Sequence, residues 1–366
     1  MLPQTFRYVF ALSRVEGGES LGQFEVRLDL GPVAECGRFA ALRRWLDPRL
    51  AAEAAVEIRP DWHATAGAPC LQGLRVCARA EGMPTITADI PSSYFKPSAM
   101  KVADTLVQQQ KLKPGELFNY AVLAFPVPED SADVRHPSLQ IDEVPVPTAL
   151  IPGSIREELA RSMPFGDCGT SLVPVFIPQT VIDEALEMAE RAAQIEVGAV
   201  LIGNLHQDGD SNELFLKVTA QIPAPHTLSD STRLSFTPDT WAAVQAALDL
   251  RRSREQIAGF FHNHPARFWC SKDCSTEARQ QCPFNTPFFS RADCDLHRVV
   301  FAQAHCVALL ATNTFSGMKL TLYGWDRAQI VQRGFHITKP GAARPLPVVE
   351  ATSIIGADIH ETSCHP

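Results

Sequence analysis

The sequence has no apolar run long enough to cross a bilayer. A spanning helix needs about 20 consecutive apolar residues, and the longest candidate, VVFAQAHCVALLA at 299–311, is broken by Gln303 and His305. The opening MLPQTFRYVFALSRVEGGES lacks the basic start and unbroken apolar core of a secretory leader, so a cytoplasmic protein without a membrane role is expected. Positive charge is also scarce. Lys and Arg number 33 against 41 Asp and Glu, giving a net charge of −8, which argues against nucleic acid as the main partner because phosphate binding needs a basic surface. Residues 1–127 contain neither a glycine-rich phosphate loop nor a nucleophile elbow, and no segment repeats.

What is present suits a folded protein. The 366 residues suggest two domains at roughly 150 residues each, and with 45% hydrophobic and 20% charged residues they can bury real cores. Cys36, Cys70, Cys77, Cys168, Cys306 and Cys364 are scattered, as small buried hydrophobes would be in a reducing compartment. Cys270, Cys274, Cys282 and Cys294 instead crowd into 25 residues. Clustered cysteines in a cytosolic chain lean towards metal, although no C-x-x-C pair occurs among them.

Along the chain, GQFEVRLDL (22–30) alternates as a half-buried strand, as does LQGLRVCARA (71–80). PSAMKVADTLVQQQKL (97–112) has helical spacing, and ELFNYAVLAFPV (116–127) reads as a buried strand. The expectation is an α+β N-terminal domain over 1–127, without chemistry of its own and so suited to recognising a partner or substrate. Residues 128–174 are rich in proline and turn formers and read as a linker, with a short helix at SIREELARSM. From 175 the pattern changes. TVIDEALEMAERAAQ is an amphipathic helix, followed by strands at EVGAVLIG (196–203) and ELFLKVTAQI (213–222). A second helix opens at FTPDTW, where Thr237 can cap, Pro238 fits the first turn and Phe236 can staple onto Trp241. A strand at 255–265, a helix from Ser290, a strand at 306–312 and a hairpin around KLTLYGW complete an α/β arrangement over 175–337. The stretch 338–366 is punctuated by Pro and Gly and reads as a flexible tail.

The chemistry begins at GFFHNHP. Residues i and i+2 of a strand share a face, so His262 and His264 point together, and Pro265 ends the strand. Two imidazoles on one face suit zinc, which takes three protein ligands and a water in a catalytic site. An isolated His-x-His pair is nonetheless usually two ordinary strand histidines. Further along, Ser290-x-x-Asp293 precedes an apolar run. Its plain meaning is a helix capping box, yet a capped helix end also fixes a carboxylate in direction. Glu196, at the head of a dry strand, is either a solvent-exposed strand-start residue or a general base.

Taken in order, Glu196 before EVGAVLIG's apolar core, the GFFHNHP pair and SRAD resemble the JAMM motif of the JAB/MPN metallopeptidases. The resemblance covers about half the chain, 175–337. It implies a JAB/MPN domain, a mixed sheet with flanking helices, which here follows the separate α+β domain read from the pattern of 1–127. It implies zinc held by His262, His264 and Asp293, with Glu196 moving the proton of a water whose pKa zinc lowers to about 7, and with Ser290 stabilising the oxyanion. It further implies a deubiquitinase-like isopeptidase that cleaves after the C-terminus of ubiquitin or a ubiquitin-like protein, in precursor processing or deconjugation. The form is similar to the JAB peptidases of bacterial ubiquitin-like conjugation operons, which work beside E1-like and E2-like enzymes and in some cases serve antiphage defence.

The sequence departs from that pattern in one place. Twenty-five residues separate His264 from Ser290, and this Cys-rich insertion, 266–289, replaces a short gap. A loop of that length is uncommon unless functional or stapled. Cys270, Cys274, Cys282 and Cys294 are candidates for a structural zinc, with His297 as another possible ligand; the alternative is a set of free thiols packing the loop. Ser271-x-x-Cys274 also offers Cys274 as a rival third ligand, but the apolar helix expected after the motif follows Asp293. Two other functions fit a chain of this type: a catalytically silent MPN scaffold, and a JAMM hydrolase acting on a sulfur-carrier protein or a small amide.

Overall fold

The computed structural model describes residues 6–63, 69–127, 147–169, 172–224, 227–229, 234–251, 254–269 and 274–338. Part of the expected linker and nearly all of the expected tail, together with Cys270, Ser271 and Cys364, lie outside those residues. The chain divides into two compact units, one over 1–147 with 327–329 and one over most of the remainder. No helix among the described residues is long and apolar enough to cross a membrane.

The first unit runs β1 (Phe6–Arg14), β2 (Ser20–Val26), α1 (Gly31–Trp45), α2 (Pro48–Ala52), β3 (Ala55–Trp62), β4 (Leu71–Arg79), β5 (Ile86–Pro91), α3 (Lys96–Gln108) and β6 (Phe118–Pro126). Its strands form two three-stranded sheets, ordered β2-β1-β6 and β3-β4-β5, around a core that includes Phe10, Leu74, Ile90, Phe95 and Leu106. The segments expected as strands or helix appear as β2, β4, α3 and β6. Helix α1 has no counterpart in the sequence reading, and the reason is physical. Its buried face is built partly from Ala34, Gly37 and Ala41, small residues that leave little hydrophobic signal. A Cβ on Gly37 would lie 2.6 Å from Val76 Cγ2, so close packing dictates the small residue.

The second unit runs β7 (Leu150–Gly153), α4 (Ile155–Ala160), β8 (Ser162–Phe165), β9 (Val175–Pro178), α5 (Gln179–Ala192), β10 (Gly198–Asp208), β11 (Leu214–Pro223), β12 (Thr227–Ser229), β13 (Leu234–Phe236), α6 (Pro238–Arg251), β14 (Gln256–His264), α7 (Thr276–Gln280), α8 (Arg291–Val300), β15 (Val307–Thr314), β16 (Gly317–Asp326), β17 (Gln329–Arg333) and β18 (Phe335–Thr338). One large mixed sheet, ordered β17-β16-β15-β14-β10-β11-β9-β18-β8 with β7 added to β10, organises it. Fold class is therefore mixed α/β, as expected. Residues 150–165 are more than linker: β7 pairs in parallel with β10 and β8 antiparallel with β18. Four-residue strands that contain Pro152 and Pro164 are too short to show alternation, and proline belongs at sheet margins of this kind.

The helices follow their sequence signals. Helix α5 buries Val181, Ile182, Ala185, Leu186 and Ala189. At the start of α6 the Thr240 N–H donates to Thr237 Oγ1 at 3.3 Å, and the Phe236 and Trp241 rings meet at 5.6 Å, which is the cap and staple.

A β-bulge on β14 aims the site. Ile257 pairs with Ile202 and Gly259 with Leu201, so Ala258 is the extra residue. An inserted residue reverses the alternation beyond it. Gly259 sits at φ +145°, where a Cβ would fall 1.7 Å from the Val307 carbonyl oxygen; no residue with a side chain fits there. After the bulge Phe260 stacks on Phe301, in the cluster that Leu296 of α8 also packs against, and His262 and His264 follow it on the same face.

Candidate metal centre

Three elements converge on one buried point. β14 supplies His262 and His264, the first turn of α8 supplies Asp293, and the residue pair before β10 supplies Glu196. Exposures are 1%, 1%, 8% and 2% respectively, which is rare for ionisable groups unless they are paired or bind a metal.

Asp293 is fixed by the helix terminus. Ser290 is the N-cap of α8: its Oγ accepts from the Asp293 N–H at 3.1 Å, while Asp293 Oδ2 accepts from the Ser290 N–H at 2.7 Å. The capping-box meaning of SRAD is therefore correct, and the cap gives the carboxylate a fixed direction towards the two histidines. Asp293 Oδ1 lies 3.1 Å from His262 Nε2 and its Oδ2 lies 3.2 Å from His264 Nε2, and the two Nε2 atoms are 3.2 Å apart. A tetrahedral zinc with bonds of about 2.0–2.2 Å would hold ligand atoms about 3.3 Å apart, so the spacing and the N,N,O donor set fit that ion. Among the described residues this is the group of His, Cys, Asp and Glu side chains placed to hold a metal.

The charges are strongly coupled. Burial opposes ionisation of Asp293, but the two facing imidazoles outweigh it and hold the carboxyl well below its ordinary range. Burial likewise opposes a charge on His262, where the Asp293 carboxylate wins and raises the pKa. For His264 burial prevails and the pKa falls. The ionised carboxylate and the His264 imidazole are in the states a cation needs, and a metal binding here would displace the proton that His262 favours.

Ring packing fixes the imidazoles. Among the described residues neither Nδ1 has a hydrogen-bond partner. Instead His262 stacks on Phe260 at 5.4 Å and meets Phe289 at 6.0 Å, while His264 meets Trp269 at 5.3 Å and Phe288 at 5.1 Å.

Glu196 stands with Oε1 3.9 Å from His264 Nε2. Its position depends on Asn263, which the sequence reading passed over. Asn263 is fully buried and points away from the histidines. Its Oδ1 accepts from Val197 N–H at 2.6 Å, its Nδ2 donates to Ile195 O at 3.3 Å, and its own N–H donates to Val197 O at 3.2 Å. These bonds bracket Glu196 on both sides. The one available signal was a polar residue between two histidines, which strand alternation sends to the opposite, buried face.

Among the described residues Cys274, Cys282 and Cys294 form no metal-ligand group. All three are free and half-buried; Cys270 lies outside those residues. Cys274 joins no such group with the two histidines, and the side chain grouped with them is that of Asp293. Burial pushes the Cys294 thiol up to about 12. His297 is enclosed by Phe260, Phe289, Phe301 and Trp325, and burial drives its pKa down to about 3.

No family profile and no curated protein matches the chain. Among solved structures, the solution structure of protein DSY2949 from Desulfitobacterium hafniense overlaps 43% of this chain and 89% of its own, at 19% identity and a TM-score of 0.29. That likeness is too slight to bear on fold or function.

Proposed function

We propose that the second unit is a JAB/MPN-type zinc peptidase, preceded by a separate recognition domain, that hydrolyses the amide bond following the C-terminus of a ubiquitin-like protein. The observation that carries this is the convergence of His262, His264 and Asp293 on one point with Glu196 buried beside them. Those residues come from separated segments in the JAMM order. Zinc in such a site supplies Lewis acidity, which polarises a carbonyl and lowers the pKa of a water molecule.

The chain's own groups account for the proton movements. Glu196, buried next to His264, accepts a proton from the attacking water and returns it to the departing amine, so that water and amide become acid and amine. Ser290 Oγ spends a lone pair on the Asp293 N–H, which leaves its O–H proton available for the developing oxyanion. The dry surroundings strengthen both interactions. E1-like and E2-like enzymes are the partners that a conjugation pathway would supply.

The test is cleavage of a ubiquitin-like protein fused through its C-terminus to a reporter, with zinc measured in parallel. Wild type should cleave. Glu196→Gln should retain zinc and lose activity by roughly 100-fold or more, the scale of general acid–base catalysis. Zinc-loaded wild type that cleaves neither this fusion nor small amides would favour the scaffold function instead.

A further inference from the structure

The insertion between His264 and Ser290 is built against the metal centre. Trp269, Phe284 and Phe288 form a mutually contacting aromatic cluster, with ring centroids 5.4 to 6.1 Å apart. Two of these rings touch His264. All three are only half-buried, so each keeps some exposed ring surface.

Asn285 fastens this cluster to the sheet. Its Oδ1 accepts from the Phe315 N–H at 3.1 Å, its backbone carbonyl accepts from Lys319 Nζ at 2.9 Å, and its Nδ2 donates to Gln280 O at 3.1 Å. Phe315 lies in the turn between β15 and β16, and Lys319 on β16. Arg279 adds a contact over the Phe315 ring at 5.6 Å. One side chain thus ties the insertion to itself and to the β15–β16 hairpin.

We propose that Trp269, Phe284 and Phe288 are the specificity wall of the site: they receive an apolar side chain of a polypeptide substrate next to the scissile bond, and Asn285 is the residue that positions them. This rests on the peptidase function above for the meaning of "scissile". The range follows from distance. The rings stand about 5 Å from His264, and an extended chain advances about 3.3–3.6 Å per residue, so the wall meets the first or second residue from the cleaved bond. The preference follows from solvation. An apolar side chain buries its own surface and that of the rings, whereas a carboxylate placed there gives up water for a largely apolar ring surface.

The experiment uses full-length, zinc-loaded protein and a peptide series that differs only at the two residues on either side of the scissile bond, bearing Gly, Leu, Phe or Asp. Binding to the Glu196→Gln protein is read by fluorescence anisotropy, and cleavage by wild type as kcat/KM. Leu and Phe peptides should bind and react about tenfold better than Asp peptides, the equivalent of burying one apolar side chain. Trp269→Ala and Phe288→Ala should shrink that ratio to about threefold or less at unchanged zinc content, as about half the ring surface is lost. Asn285→Ala should do the same, and Asn285→Asp, which keeps the acceptor for Phe315 N–H, should restore most of the preference. A wild type that does not discriminate, peptides that do not bind, or a preference that survives loss of the rings would each overturn the wall. Selective binding without hydrolysis would overturn the peptidase function and leave the wall standing.

Discussion

Asn263 shows how one buried amide carries part of the proposed chemistry. It accepts from Val197 and donates to the Ile195 carbonyl, holding Glu196 from both sides while the histidines face the other way. Asn263→Ala leaves a buried N–H without its acceptor, which should lower stability by about 1–3 kcal/mol in chemical denaturation. Cleavage should fall further than stability, about 10- to 100-fold with zinc retained, because Glu196 loses its placement. Unchanged cleavage would separate Asn263 from the mechanism. His297 carries a different residue-scale signature. In the unfolded chain its ring titrates near 6.5, whereas burial moves the folded value to about 3. Between those values the unfolded state binds a proton that the folded state refuses, so this contribution is complete above pH 6.5 and is lost as pH falls. The slope is at most about 1.4 kcal/mol per pH unit. His297→Phe should flatten the stability profile between pH 4 and 6.5 by that amount, read from denaturation midpoints at each pH.

Helix α8 joins stability to function through its cap. Ser290 orders the first turn and thereby aims Asp293 at the histidines. Ser290→Ala should cost about 1 kcal/mol of stability. It should also weaken zinc binding about 10- to 100-fold, the effect usual for groups that orient ligands; competition with a fluorescent chelator measures it, and unchanged affinity would contradict the orienting role. Elements of this kind were legible in the sequence because their signals are local. Ser290 and Asp293 are three residues apart, His262 and His264 two, and Thr237, Pro238 and Trp241 lie within one turn. The bulge at Ala258 and Gly259 was not legible, because it depends on the β10 register and on the Val307 carbonyl across the sheet. Neither were β7 and β8, whose partners β10 and β18 lie far along the chain. The aromatic enclosure of His264 also escaped notice, since Trp269 and Phe288 reach it only after the insertion folds back.

At the scale of the whole molecule, the site exists only when segments near 196, 262–264 and 290–293 are brought together. Its ligands are dispersed in the unfolded chain, so metal should bind the folded state preferentially. Chelation should lower the thermal midpoint and added zinc restore it. At free zinc about 1,000 times the dissociation constant the stabilisation is about 4 kcal/mol, read by scanning calorimetry; an identical midpoint with and without metal would argue that the ion is not held at this centre. The order of the motif was visible in the sequence, but the mutual distances were not, and neither was the part played by 150–165 in the large sheet. The first unit yielded several of its strands and its α3 helix, while α1 stayed hidden behind small buried residues.

The central claim is that His262, His264 and Asp293 hold a metal ion. The most direct measurement is an anomalous difference map, recorded at the zinc absorption edge from crystals of protein purified without chelators. The account predicts a peak about 2.0–2.2 Å from His262 Nε2, His264 Nε2 and an Asp293 oxygen, with Glu196 at its side. Zinc found only at the cysteines of the insertion, or no peak between the two histidines, would contradict it.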